Sequence, residues 1–293
     1  MIARQDKAFF RTLFLPSFLI LLFLSVYATF GVVGLSFTNF NLQRPRDWGF
    51  TTSNYTELIN NGRFWHSIWI SFIWSVSTSL SSMVVGTGLA IFMFRRFSKK
   101  IEYSVTFFFI LPFLLSKVGV AQIWKLLYRP FDLLNYGLSL MNISPVGFLS
   151  DPKIAFTAVA TVDVWQWSFM IAFLVLTLLN GIPHNYMEEA DIIGVSFLRR
   201  HWSITLPMIK TGIVSIFLLK FIESLRSFDL IYNLTRGGPG VRTETFDLYT
   251  YYRGIVVSGK IGSSAAMSII MLAITIFLLV FLWNSLKERR FDL

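Results

Sequence analysis

Glu188-Glu189-Ala190-Asp191-Ile192-Ile193-Gly194, then nine residues, then Ile204-Thr205-Leu206-Pro207, is the stretch on which the reading of this chain turns. The acids at its start suit the N-terminal end of a helix, where the backbone dipole favours negative charge. Gly194 permits a sharp bend that a Cβ would oppose. Beyond it, Val195, Leu198 and Trp202 fall at helical spacing and form an apolar face. Pro207 suits the first turn of a following helix, where its missing N–H is no loss. These residues predict a short helix, a bend, a second amphipathic stretch and a return into an apolar segment. Taken alone, they are satisfied by an amphipathic loop lying on a bilayer.

The surroundings say bilayer. Of the 293 residues, 54% are hydrophobic and only 14% charged, and the mean hydropathy is +0.61. A soluble domain needs more charge to cover its surface, so much of this surface is expected to face lipid. The 31 Phe and nine Trp fit packing and interfacial anchoring. The net charge of +10 sits in short clusters between apolar runs. That is the pattern of a membrane topology signal rather than the continuous basic stripe of a nucleic-acid binder. Without Cys there is no disulfide framework and no thiolate metal site. His66, His184 and His201 are too scattered for a metal constellation.

A helix needs about 20 apolar residues to cross about 30 Å of hydrocarbon. Six stretches qualify: Thr12–Phe37, Phe64–Phe94, Tyr103–Tyr128, Ile154–Asn180, Pro207–Leu234 and Ile261–Leu286. The first follows Arg4, Lys7 and Arg11, but its apolar run is too long for a signal peptide and no small-x-small site follows, so it reads as a retained anchor. Small residues in Ser77–Gly88 permit close helix contacts. With six spans, the basic clusters at Arg4–Arg11, Arg95–Lys100 and Lys287–Arg290 fall on one side. The positive-inside rule makes that side cytoplasmic, with both termini and the Pro183–Ser203 loop. Arg236, Arg242, Arg253 and Lys260 fall outside.

The 188–207 spacing resembles the EAA signature of ABC-importer permeases: Glu-Ala-Ala, three residues, Gly, nine residues, Ile-x-Leu-Pro. Glu188, Ala190, Gly194, Ile204, Leu206 and Pro207 match it, Glu189 replaces the first Ala, and Ile193 stands where Asp is common. A second stretch, Phe228-Asp229-Leu230-Ile231-Tyr232 leading into Leu234-Thr235-Arg236-Gly237-Gly238-Pro239, resembles a segment of the larger permease subunit of carbohydrate importers of the maltose and glycerol-3-phosphate type. By its residues it is also a Gly-Pro turn ending a helix. The resemblance covers about Phe64 to Leu286.

It implies an all-α, polytopic MetI-like permease of a type I importer. Residues 1–63 form an N-terminal helix and outer loop, 64–286 the permease core with a cytoplasmic coupling loop at 181–206, and 287–293 a cytoplasmic tail. It further implies a bacterial-type inner membrane location and alternating access. The implied partners are a second permease subunit, two copies of a nucleotide-binding ATPase subunit carrying ATP and Mg, an extracytoplasmic solute-binding protein and a carbohydrate substrate. Glu188, Glu189, Ala190, Gly194, Ile204, Leu206 and Pro207 become the ATPase-coupling residues.

The chain itself is expected to be neither an ATPase nor another enzyme. Gly254-Ile255-Val256-Val257-Ser258-Gly259-Lys260-Ile261 has the glycine and lysine spacing of a phosphate loop but ends in Ile261, where Ser or Thr would bind Mg. Ionisable residues inside spans default to functional hypotheses: Lys117, Asp163, Lys220, Glu223, Arg226 and Asp229. Asp163, Gln166, Trp167 and Met170 share one helix face, as do Lys220, Ser224 and Ser227. Two readings stand side by side. The faces line a substrate path, with the Trp167 ring stacking on sugar, or they hold structural pairs such as Lys220–Glu223 at i, i+3. Cationic Lys117, Lys220 and Arg226 leave room for an acidic sugar. An ion-coupled secondary transporter is the rival class, and it would show inverted repeats and discontinuous helices.

Overall fold

The computed structural model describes residues 2–96, 99–183, 185–186, 193–194 and 196–287. The described residues are helical apart from loops and one isolated antiparallel bridge between Thr38 and Phe50. Two compact units emerge, Met1–Phe64 with Tyr249–Ile274, and Trp65–Leu248 with Thr275–Leu293.

In the first unit α1 (Ile2–Ser36) carries an apolar span over Phe14–Ser36. Side chains from Phe14 to Gly31 are all exposed, as expected of a helix bathed in lipid. The chain then turns into α2 (Ser53–Ile59). Buried Asn54 donates from Nδ2 to the Ser36 and Thr38 carbonyls, at 2.9 and 2.7 Å. It thereby satisfies carbonyls that the end of α1 leaves open. The Glu57 carboxylate accepts from Lys260 Nζ at 2.9 Å and from Arg253 Nη2 at 2.7 Å. The Lys260 hydrogen bond, seconded by Arg253, holds that carboxyl below its ordinary range against the opposing effect of burial. Sequence periodicity gave no hint of α2. Seven residues without an apolar repeat form a helix here because tertiary hydrogen bonds hold both its ends.

The second unit contains α3 (Gly62–Arg96, from Trp65 onward), α4 (Lys99–Leu114), α5 (Lys117–Leu127), α6 (Leu133–Leu140) and α7 (Ala155–Asn180). After α7 come α8 (Phe197–Arg200), a π turn (His201–Thr205), α9 (Leu206–Leu225), α10 (Asp229–Leu234) and α11 (Phe246–Tyr251). α12 (Ile261–Lys287) spans the boundary of the two units. The core joins α3, α7 and α9 through residues such as Met93, Ile171, Val175, Leu179 and Ile209. In lipid such helices associate by close packing more than by the hydrophobic effect. Gly86 supplies that closeness: a Cβ there would lie 2.7 Å from Ile171 Cβ and from the Ser168 carbonyl.

Among the described residues, five helices are long and apolar enough to cross a membrane, six if one bent pair counts as a span. That pair corrects the uninterrupted span expected over Tyr103–Tyr128. Its halves, Phe107–Leu114 and Lys117–Leu127, meet at 92°. Pro112 weakens the first half by removing a helical N–H. Ser116 starts the second as its N-cap, Oγ accepting from Gly119 N at 3.1 Å. The span expected over Pro207–Leu234 is also shorter. α9 stops at Leu225, and Arg226 to Phe228 separate it from α10. Arg226 and Asp229 therefore lie outside the membrane helix.

Replacing Gly86 by Val is expected to force α3 and α7 apart, at a cost of about 1–3 kcal/mol. A lowered thermal unfolding midpoint of the detergent-solubilised protein checks this, and an unchanged midpoint contradicts the packing described.

Candidate functional site

The corner between α4 and α5 creates the site. A helix that ends inside an apolar region leaves carbonyls without donors. Gln166, on α7, donates from Nε2 to the Pro112 and Leu115 carbonyls at 3.1 and 3.0 Å. One turn of α7 away, Asp163 accepts from Lys220 Nζ of α9 at 2.7 Å. Lys220 also donates to Glu223 at 3.0 Å, and Glu223 accepts in turn from Lys117, the first residue of α5. Two ammonium groups and two carboxylates thus form a neutral chain across α5, α9 and α7.

Burial fixes its energetics. Lys220 is 0% exposed and Asp163 1%, so neither ion has water to fall back on. The Lys220 ammonium also lies over the Trp167 ring, 4.6 Å from its centroid, a further stabilisation of the desolvated cation. The same ring packs T-shaped against Phe113, with centroids 5.0 Å apart. In this conformation the indole face on which a sugar was expected to stack is covered by Lys220.

The structure brings most of the expected path residues together. Asp163, Gln166, Trp167, Lys220, Ser224 and Ser227 are all buried in the second unit. Ser224 accepts from Thr78 Oγ1 at 3.2 Å. Ser227 and Trp167 each keep a buried polar atom, Oγ and Nε1, without a hydrogen-bond partner. Met170 is only half-buried, packed against the hydrophobic core to which Trp167 also belongs. Each cation expected to leave room for an acidic sugar has a carboxylate neighbour. Lys117 has Glu223, Lys220 has Asp163 and Glu223, and Arg226 sits by Asp247, whose carboxyl burial pushes above its ordinary range despite that charge. The closure of the chain by Lys117 and Glu223 was not foreseen. Both stood out as ionisable residues in spans, but a sequence does not say which distant residue meets which.

Of the coupling residues, Glu188, Glu189 and Ala190 lie outside the described residues. Gly194 adopts φ +71°, a left-handed conformation that favours glycine. Pro207 sits in the first turn of α9, preceded by the π turn in which Thr205 Oγ1 reaches back to the Arg200 carbonyl at 3.4 Å. Ile204 and Leu206 are half-buried. Ile193 and Trp202 are exposed, at 77% and 71%, and Trp202 stands at the start of the apolar span Trp202–Leu225.

Residues 82–292 match the family model described as "Binding-protein-dependent transport system inner membrane component". The chain belongs to this family. It is a multi-pass permease subunit for solute import of the ABC type. The permease is 33% identical over 234 residues to the trehalose/maltose transport system permease protein MalF of Thermococcus litoralis, covering 78% of this chain and 77% of that one. Its fold matches a subunit in the crystal structure of a bacterial ABC transporter involved in the import of the acidic polysaccharide alginate. That match has a TM-score of 0.82 at 18% identity and covers 100% of both chains. A chain of the MetNI methionine ABC transporter matches with a TM-score of 0.53 at 12% identity, covering 76% of the permease and 92% of that chain. The MetI-like architecture expected from the motif is therefore present.

Removing one partner of a buried ion pair strands the other, at a cost of about 3–5 kcal/mol. Lys220→Ala and Asp163→Ala are each expected to destabilise the permease on that scale, and the double variant by clearly less than their sum. A double-mutant cycle on unfolding free energies measures the coupling, and simple additivity would mean the pair is not formed.

Proposed function

We propose that the permease is the larger-type membrane subunit of a carbohydrate importer, working by alternating access. The observation that carries this is its 33% identity, over 78% of the chain, to a permease for trehalose and maltose. The Phe228–Pro239 segment, with its likeness to the larger subunits of such importers, supports the subunit assignment.

In this reading the permease pairs with a second permease subunit, two ATPase subunits that bind ATP and Mg, and an extracytoplasmic solute-binding protein. Both termini and the 181–206 loop face the cytoplasm. ATP binding draws the ATPases together, and the knob around Gly194 transmits that motion to α9 through Leu206 and Pro207. The two membrane halves then rock between two rigid-body states, each stabilised by different partner contacts. Asp163, Gln166, Trp167, Met170, Lys220, Ser224 and Ser227 are the path residues of this proposal. The burial of all of these but Met170 means that the Lys220 network has to loosen on one side of the cycle before sugar can reach them. The neutral chain lets this happen by exchange of partners rather than by exposure of a lone charge.

The test is uptake by the importer copurified from native membrane and reconstituted in proteoliposomes with internal ATP. Oligosaccharide uptake is expected to require ATP and the solute-binding protein. Gly194→Pro, or deletion of Glu188–Gly194, is expected to abolish uptake while the protein still inserts in the membrane. Uptake driven by an ion gradient without ATP, or unimpaired uptake by those variants, refutes the reading.

A further inference from the structure

With Lys117, Lys220 and Arg226 each beside a carboxylate, the cations free to meet a ligand lie elsewhere. A cavity of about 300 Å³ opens where α5 ends, between that helix and the 147–150 turn. Its volume is at the lower end of the roughly 300–1,000 Å³ typical of small-molecule sites. The charged residues lining it are Lys125 and Arg129, both cationic, and no carboxylate lines it. Asp151, nearby in sequence, accepts from the Lys153 backbone N–H instead. Among the described residues Lys125 donates only to a neutral group, the Asn233 carbonyl, at 3.2 Å. The Arg129 side chain is exposed and makes no ion pair among the described residues.

The walls are built rather than incidental. Tyr128 and Phe148 pack ring to ring at 4.8 Å as the apolar wall, and Tyr128 is anchored by its OH, which donates to the Ala158 carbonyl at 2.8 Å. Asn135, 1% exposed, clamps the two sides together. Its Nδ2 donates to the Arg129 and Val146 carbonyls at 3.0 and 3.1 Å, and its Oδ1 accepts from Val146 N at 2.7 Å. The walls are therefore preformed, and only the Lys125 and Arg129 side chains have to be ordered when a ligand arrives.

We infer that this cavity is a subsite for carboxylate-bearing sugar units. The inference rests on the importer reading above, and in that topology the subsite lies on the outer side, where substrate arrives. A guanidinium fork matches a carboxylate bidentately, Lys125 adds a second charge, and the aromatic wall receives the apolar face of the sugar ring. The small concave volume favours a sugar over a protein surface.

The probes are a trimer of galacturonate and, as neutral control, maltotriose, titrated against the copurified importer in nanodiscs with and without the solute-binding protein. Arg129→Gln with Lys125→Gln is expected to weaken uronate binding by about tenfold or more while leaving maltotriose binding unchanged. Arg129→Lys is expected to restore only part of it. Wild-type binding is also expected to fall as salt rises. Uronate binding unaffected by the double variant, or an equal loss for both sugars, overturns the subsite. So does an effect seen only with the solute-binding protein present, which would make the cations a protein contact. Maltotriose uptake by a wild type that binds no uronate overturns the subsite and leaves the importer reading intact. Salt-sensitive uronate binding at these residues without uptake of any sugar upholds the subsite and removes the importer reading.

Discussion

The low polarity of a bilayer interior dictates that no backbone carbonyl and no charge be left alone there, and the second unit is organised around one place where both demands arise. The corner at Leu115 and Ser116 frees carbonyls and brings the Lys117 ammonium to the start of α5. Gln166 satisfies the carbonyls, and the Lys117–Glu223–Lys220–Asp163 chain neutralises the charge. Because the donors and acceptors come from α5, α7 and α9, one local solution to a solvation problem also fixes three helices relative to each other. A corner in a helix is affordable here only because its neighbours carry the matching groups.

Close packing does the rest. α3 presents small and hydroxylated residues inward, Ser75, Thr78, Ser79 and Gly86 among them, so α7 and α9 can approach its backbone. Hydroxyls that bond their own helix, as Thr78 does to the Trp74 carbonyl at 2.7 Å, remain available to a neighbour without leaving a polar atom bare. The result is a tightly joined helix group whose polar contents are concentrated beside the corner.

Much of this was legible in the sequence. Apolar runs located four of the long helices to within a few residues because membrane spans obey a length rule that a sequence displays directly. The 188–207 spacing pointed to the family. The i, i+3, i+4, i+7 arithmetic put Asp163, Gln166, Trp167 and Met170 on one face; the first three are buried and Met170 is half-buried. What failed were the places where tertiary contacts override a hydropathy window. Ser116 as a cap and Pro112 as a breaker are visible only once one asks why an apolar run should not continue. The end of α9 before Arg226 is similar, since Ile231 and Leu234 keep the run apolar past the break. Helices α2, α6 and α11 are too short for periodicity to register. Pairings such as Lys117 with Glu223, 106 positions apart, are long-range facts that no local pattern encodes.

α1 differs from all of these helices. Its span carries the apolar side chains of a core helix, but between Phe14 and Gly31 none is covered by its own chain. Selection for intramolecular fit therefore has little grip on that stretch. Length and apolarity are what the rest of the chain asks of it, while whatever lies alongside it in the membrane, lipid or another subunit, decides which of its faces is covered.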